Sequence, residues 1–200
     1  MARALRREEP RVARVDGTSR GPSDVELVER ARGGDRWAVE AIFRRYVAAV
    51  LGLARRMLGR SDDAEDVVQE TFASALTRLE RLDHPERLRS WLFAIAVHRI
   101  QRRLRHRRIK AFFLGADEDV LLGIAAQTAS PEVRAELALI DAILSKLPVA
   151  DRIAWTLRHV EGESLVDIAT MTGASLATVK RRIDAVETCV SAAIARGDRS

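Results

Sequence analysis

The stretch Ser164-Leu-Val-Asp-Ile-Ala-Thr-Met-Thr-Gly173-Ala-Ser175-Leu-Ala-Thr-Val179 decides the reading of the fold. A short helix from Ser164 carries a small residue, Ala169, where a partner helix can pack against it. Gly173 supplies the positive φ that a tight turn demands, and Ser175 is placed to cap a second helix. Helix, glycine turn and capped helix in this order predict a helix-turn-helix, which presents its second helix to a DNA major groove.

On that second helix Val179, Ile183, Val186, Val190 and Ile194 form one apolar stripe. Arg181 projects nearly opposite, flanked by Ala177, Thr178, Lys180 and Asp184. Arg181 and Lys180 can reach base edges or phosphates, and Ala177 permits close approach. An ordinary solvated helix face would carry similar charge; the turn signature just before it favours DNA.

Upstream, every informative segment has helical rather than alternating periodicity. Ser23 or Asp24 caps a first helix ending at Gly33-Gly34. Asp35 caps a second, with Ala38, Ile42, Tyr46, Val50, Leu53 and Met57 on one face and Gly59 at its end. A third begins at Ser61-Asp62-Asp63, its acids where the helix dipole favours them. Asp83-His84-Pro85 breaks it, and a fourth runs from Pro85-Glu86 to about Arg108. After Pro131 the segments 131–146, 149–159, 164–172 and 175–196 read as helices. The expected fold is all-α: two small helical domains joined by a linker, with a basic disordered tail over 1–22, a first domain over 23–108, the linker over 109–130, and a second domain over 131–197. Phe112, Phe113, Leu114, Leu121 and Leu122 make that linker unusually apolar and suited to docking.

The third and fourth helices have opposite characters. Asp62, Asp63, Glu65, Asp66 and Glu70 crowd the third, while Val68, Phe72, Ala75, Leu76 and Leu79 face inward. This is either a protein-docking surface or a dipole-favoured exposed start. The fourth is apolar over most of its circumference, so it should be largely buried. Its remaining stripe holds Arg87, Ser90, Ala94, His98, Gln101, Arg102 and Arg105, with Trp91 at the border. The run Arg99 to Arg108 contains no acid. A cationic stripe beside an aromatic suits unstacked bases and a phosphate backbone; a core role for Trp91 is equally compatible with its position.

The 200 residues carry a net charge of +5, which favours polyanionic partners. Only Lys110, Lys146 and Lys180 are lysines; the other basic residues are arginines, whose planar guanidinium suits bidentate contacts. Cys189 is the sole cysteine, which excludes an internal disulfide and a thiolate zinc cluster. No apolar run reaches the roughly 20 residues of a membrane span, and the N-terminus, rich in arginine (Arg3, Arg6, Arg7, Arg11, Arg14, Arg20), lacks a secretory signal. A cytoplasmic protein without metal or other cofactor is expected. Catalysis is the least favoured class, since no nucleophile–base pair can be assembled.

Over residues 23–195 these segments resemble the extracytoplasmic-function (ECF) group of sigma factors in the sigma-70 family. The resemblance rests on Asp24-Val-Glu-Leu-Val-Glu-Arg-Ala-Arg-Gly-Gly-Asp35, Ala64-Glu-Asp-Val-Val-Gln-Glu-Thr-Phe72 and Trp91-Leu-Phe-Ala-Ile-Ala96 for region 2. For region 4 it rests on Leu147-Pro148, Leu157-Arg-His-Val-Glu-Gly162, Asp167-Ile-Ala169 and Thr178-Val-Lys180. It implies that Asp66, Gln69 and Glu70 dock on the β′ clamp helices of core RNA polymerase. It implies minus-ten contacts from Arg87, Trp91, His98, Arg99, Arg102 and Arg105, with the Asp83–Arg89 loop. It implies minus-35 contacts from Ser175, Thr178, Lys180, Arg181 and Arg182, a second domain at the β flap, a linker along the RNA exit path and an anti-sigma partner. The chain departs from the family at His98, where Asn is usual, at Arg102, where Asp is common, and over Arg181-Arg-Ile-Asp-Ala-Val-Glu187, which has fewer basic residues. Two other readings stay open: a regulator using the helix-turn-helix without polymerase, and a sigma-like interaction module that does not start transcription.

Overall fold

The computed structural model describes residues 21–59, 62–114, 140 and 142–197. The expected basic tail, most of the linker and most of helix 131–146 lie outside them.

Four helices form the first block: α1 (Asp24–Arg32), α2 (Arg36–Leu58), α3 (Asp62–Arg78) and α4 (Leu88–Leu114). Their ends follow from local chemistry. Ser23 and Glu26 close a reciprocal capping box at α1. Asp35 accepts the Trp37 and Ala38 amides at the start of α2, and Gly59, at φ 78°, stops it. Asp24 then reaches across to Arg45 at 2.6 Å and to the Tyr46 hydroxyl, tying α1 to α2. Arg32 donates to the carbonyls of Leu79 and Leu82 and so fixes the turn that separates α3 from α4. Pro85–Arg87 forms a single 3-10 turn before α4. The fourth helix continues six residues beyond Arg108, to Leu114, so the weakening periodicity does not mark an end of helix, although Ile109 itself is 55% exposed.

Among the described residues of the second block three helices are complete: α5 (Val149–His159), α6 (Leu165–Thr172) and α7 (Leu176–Gly197). Ser164 caps α6 through the Asp167 amide, and Gly173 ends it in the left-handed region at φ 65°. Ser175 accepts the Thr178 amide at 3.2 Å, completing the helix-turn-helix. Val179, Ile183 and Val186 are buried as the stripe predicts.

The two blocks share one core. Leu88, Leu92, Phe93, Ala96, Val97 and Ile100 of α4 belong to the same contiguous apolar cluster as Ile153 and Leu157 of α5, Ile168 and Met171 of α6, and Val179 and Ile183 of α7. Helix α6 lies directly on α4.

Candidate nucleic-acid and protein interfaces

The acidic helix and the basic helix are neighbours. Glu70 pairs with Arg99 and, at 2.8 Å, with Arg103; Asp66 lies 3.5 Å from Arg103; Asp63 pairs with Arg107, whose Nε is 2.9 Å away. Positions 99, 103 and 107 recur every four residues and therefore share one face of α4, the one turned to α3. The sequence run without acids consequently splits in two. His98, Arg102 and Arg105 are exposed, and Arg102 and Arg105 have no ion-pair partner among the described residues. Arg99, which the resemblance implies as a minus-ten contact, is half-buried against α3, its guanidinium held by the Glu70 carboxylate.

Asp66, Gln69 and Glu70 are all solvent-exposed and form one ridge on α3. Beside it lies a shallow apolar recess of about 420 Å³ between α2, α3 and the start of α4, walled by Phe43, Phe72, Leu76, Leu79, Leu88 and Trp91. Phe43 and Phe72 meet edge to face, 4.8 Å between centroids. Trp91 is half-buried against the core and also faces this recess, so its core and surface roles coexist.

On the helix-turn-helix, Ser175, Lys180 and Arg181 are exposed and Thr178 is half-buried. Arg182 turns back toward α5 and lies 3.6 Å from Asp151. It stabilises the domain from within and leaves the outward set, again because one residue of helical rotation carries it off that face. Leu176 and Val166 are exposed apolar side chains on the same domain, at 41% and 60%.

At the start of the α4 stripe Ser90 and Ala94 are half-buried beside α6, while Arg87 stays exposed. Ser90 donates to Glu163 at 3.0 Å, Arg87 lies 3.7 Å from Asp167, and Ala94 packs into the shared core. Arg89 pairs with Glu163 and Glu161, and Arg56 of α2 pairs with Glu161. Glu161 and Glu163 flank the glycine between α5 and α6 and are 7% and 5% exposed in their side chains. Burial raises the Glu163 carboxyl above the usual range, against the pull of Arg89 and the Ser90 hydroxyl. Arg56 and Arg89 were not legible as site residues, since their partners come from a distant part of the chain; two acids on either side of Gly162, ahead of a helix start, were the available signal.

Among the described residues no group of three or more His, Cys, Asp or Glu side chains could hold a metal ion, and no helix is long and apolar enough to cross a membrane.

The surfaces define a class: a helical protein whose acidic and cationic helices lie side by side and whose second block is a helix-turn-helix. Family models for sigma-70 region 2 and sigma-70 region 4 match residues 42–109 and 137–184. The RNA polymerase sigma factor CnrH of Cupriavidus metallidurans is 30% identical over 86% of this chain and 95% of its own. The ECF RNA polymerase sigma factor SigM of Mycobacterium tuberculosis is 35% identical over 80% of this chain and 79% of its own. A solved structure of CnrH with the cytosolic domain of CnrY superposes with a TM-score of 0.62 at 26% identity, over 88% of this chain and 99% of that one. The chain belongs to the sigma-70 family of RNA polymerase sigma factors, in its ECF group.

Proposed function

We propose that this chain is a promoter-specificity subunit that binds core RNA polymerase and directs initiation at one class of promoter. The observation that carries the reading is the division of labour across α3 and α4: an exposed acidic ridge for a protein, and next to it arginines left without acidic partners for DNA. Asp66, Gln69 and Glu70 dock the β′ clamp helices. His98, Arg102 and Arg105, with Arg87 and Trp91 at the start of α4, hold the melted minus-ten element, where cations track the backbone and an aromatic supports an unstacked base. Ser175, Thr178, Lys180 and Arg181 read the minus-35 element from a recognition helix with an open face, and the second domain sits at the β flap. Residues 23–108 and 131–197 act as the two domains, 109–130 as the connection between them. The chemistry of RNA synthesis stays in the polymerase. Because CnrH is seen with the cytosolic domain of CnrY, an anti-sigma partner is part of the reading, as is residence in the cytoplasm, at the nucleoid or held at the membrane by that partner.

Run-off transcription by bacterial core polymerase, with and without the chain, on genomic fragments that include its own upstream region tests this. Start-specific transcripts that depend on the chain, and on Gln69 and Glu70 when both are replaced by Ala, are expected. Binding to core without transcripts would favour a sigma-like interaction module, a reading supported by the half-burial of Ser90 and Ala94 beside α6. DNA binding without core binding would leave a simple regulator.

A further inference from the structure

We propose that Asp184 gives the recognition helix a base preference: its carboxylate accepts from the exocyclic amine of a cytosine in the major groove, at the base pair next to the one beneath Arg181, and excludes guanine and thymine there. The DNA partner rests on the minus-35 reading of α7; the choice of residue rests on the geometry of α7.

Helical phase selects the residue. At about 100° per residue, Ala177, Arg181, Asp184 and Thr188 fall within about 60° of one another. They lie on the side of α7 opposite the buried Val179, Ile183 and Val186, and all four are exposed. Ala177 carries no polar group, and the Thr188 hydroxyl donates to the Asp184 backbone carbonyl at 2.8 Å. The charged groups on this stripe are therefore the Arg181 guanidinium and the Asp184 carboxylate. The two acids of α7 also differ in their surroundings. Glu187 lies 3.0 Å from His159 Nε2 of α5, whereas the Asp184 carboxylate has no ion-pair or hydrogen-bond partner among the described residues. Arg182, the nearby cation that could have neutralised it, turns to Asp151 instead. Asp184 thus stands in the middle of the DNA-facing stripe with its acceptors uncommitted.

An anion on a helix that enters between two phosphate backbones weakens binding at every sequence. What offsets this is a donor on a base edge, because an ionised carboxylate can only accept. In the major groove cytosine presents its N4 amine alone. Adenine sets the N6 amine beside the N7 acceptor, guanine presents O6 and N7, and thymine presents O4 with a methyl group. The carboxylate therefore fits cytosine, meets one acceptor at adenine, and opposes guanine and thymine. Arg181 has the complementary requirement: its planar fork of donors matches guanine O6 and N7. Three residues of helix advance about 4.5 Å, near the roughly 3.4 Å between stacked base pairs, so the two side chains meet neighbouring pairs. Much of the preference is exclusion: acceptor against acceptor rejects the wrong base more strongly than one hydrogen bond rewards the right one.

The test uses the full chain assembled with bacterial core polymerase. The assembly selects DNA from fragments of the chain's own upstream region in which the minus-35 segment is randomised, and the bound molecules are sequenced. With the unsubstituted chain one position of that segment should favour cytosine over guanine and thymine by roughly five- to tenfold. Asp184→Ala should level the four bases at that position and leave the others unchanged. Asp184→Asn should move the preference to adenine, whose N6 and N7 match an amide. Asp184 is exposed, so thermal melting of both variants should follow the unsubstituted chain, which checks the fold. An Asp184→Ala variant that binds every sequence more tightly, with no position altered, would show the acid to be a repulsive charge only and overturn the assignment. A cytosine preference that survives in Asp184→Ala would overturn it as well. Start-specific transcripts together with either of those results leave the promoter-specificity reading standing and remove only the role of Asp184. If the assembly selects no sequence and starts no transcript, the promoter-specificity reading falls and the role of Asp184 falls with it.

Discussion

Helices α4 and α7 both carry arginines on a face away from the core, yet the fold treats them oppositely. On α7 the face is open: Lys180 and Arg181 point to solvent at the start of a recognition helix, and only Arg182 is withdrawn, toward Asp151. On α4 the basic residues are partitioned. One set, Arg99, Arg103 and Arg107, is spent on the carboxylates of α3; Ser90 and Ala94 are half-buried beside α6; Arg87, His98, Arg102 and Arg105 remain exposed. Cationic composition therefore measures capacity for a polyanion, while tertiary neighbours decide which cations can meet one. An arginine neutralised by a carboxylate a few ångströms away has little left to gain from a phosphate.

The largest test of this contrast is Phe93→Ala. Phe93 is fully buried and lies in the core that joins α4 to α5, α6 and α7. The loss should be about 3–5 kcal/mol in chemical denaturation, and both blocks should melt in one transition; separate transitions would show that the shared core does not couple them. Arg181→Ala comes next. It should cost about 1–3 kcal/mol of binding if the side chain reads a base, with thermal stability unchanged because the residue is exposed. A uniform loss over all sequences would demote it to a phosphate contact.

Smaller again is the comparison of Arg102→Ala with Arg99→Ala. Removing Arg102 should lower the slope of log affinity against log salt by about one. Removing Arg99 should leave that slope nearly unchanged and show instead as reduced stability, because its partner is Glu70. Equal slopes for the two variants would dissolve the partition of α4. The smallest effect is a pH dependence in the second block. His159 of α5 stacks near Trp155, 5.0 Å between centroids, and lies 3.0 Å from Glu187 of α7. Burial holds its imidazole below the ordinary 6.5, against the opposing pull of Glu187. The unfolded chain then takes up the proton first, so stability should fall as pH drops from 6.5 through the lower folded value. Thermal melts of His159→Gln should lack that slope.

Much of this is legible in the sequence. Capping residues and glycines marked the ends of α1, α2 and α6, because Ser23, Asp35, Ser164 and Gly173 act on backbone groups within a few residues of themselves. Apolar periodicity located the buried faces of α4 and α7 for the same local reason. The end of α4 was not legible: helix persists to Leu114, past an exposed Ile109, and hydrophobic pattern reports burial rather than hydrogen bonding. Of the candidate site residues, the exposed ones, Asp66, Gln69, Glu70, Lys180 and Arg181, stand on open surface where helical phase put them. Arg99 and Arg182 do not, since each is one helical step from such a face and the step decides which neighbour it meets.

By itself the sequence determined the helices, their caps, the helix-turn-helix and the segregation of acid onto α3 and base onto α4, all consequences of interactions within a turn or two of chain. Only the tertiary structure decided which arginines are spent. The ion pairs that fix Arg56, Arg89 and Arg103 join residues 105, 74 and 33 positions apart, and no local pattern carries information across such separations. The choice is made when α6 settles on α4 and α3 beside it, because Coulomb attraction in a partly buried site acts over a few ångströms of space and is indifferent to distance along the chain.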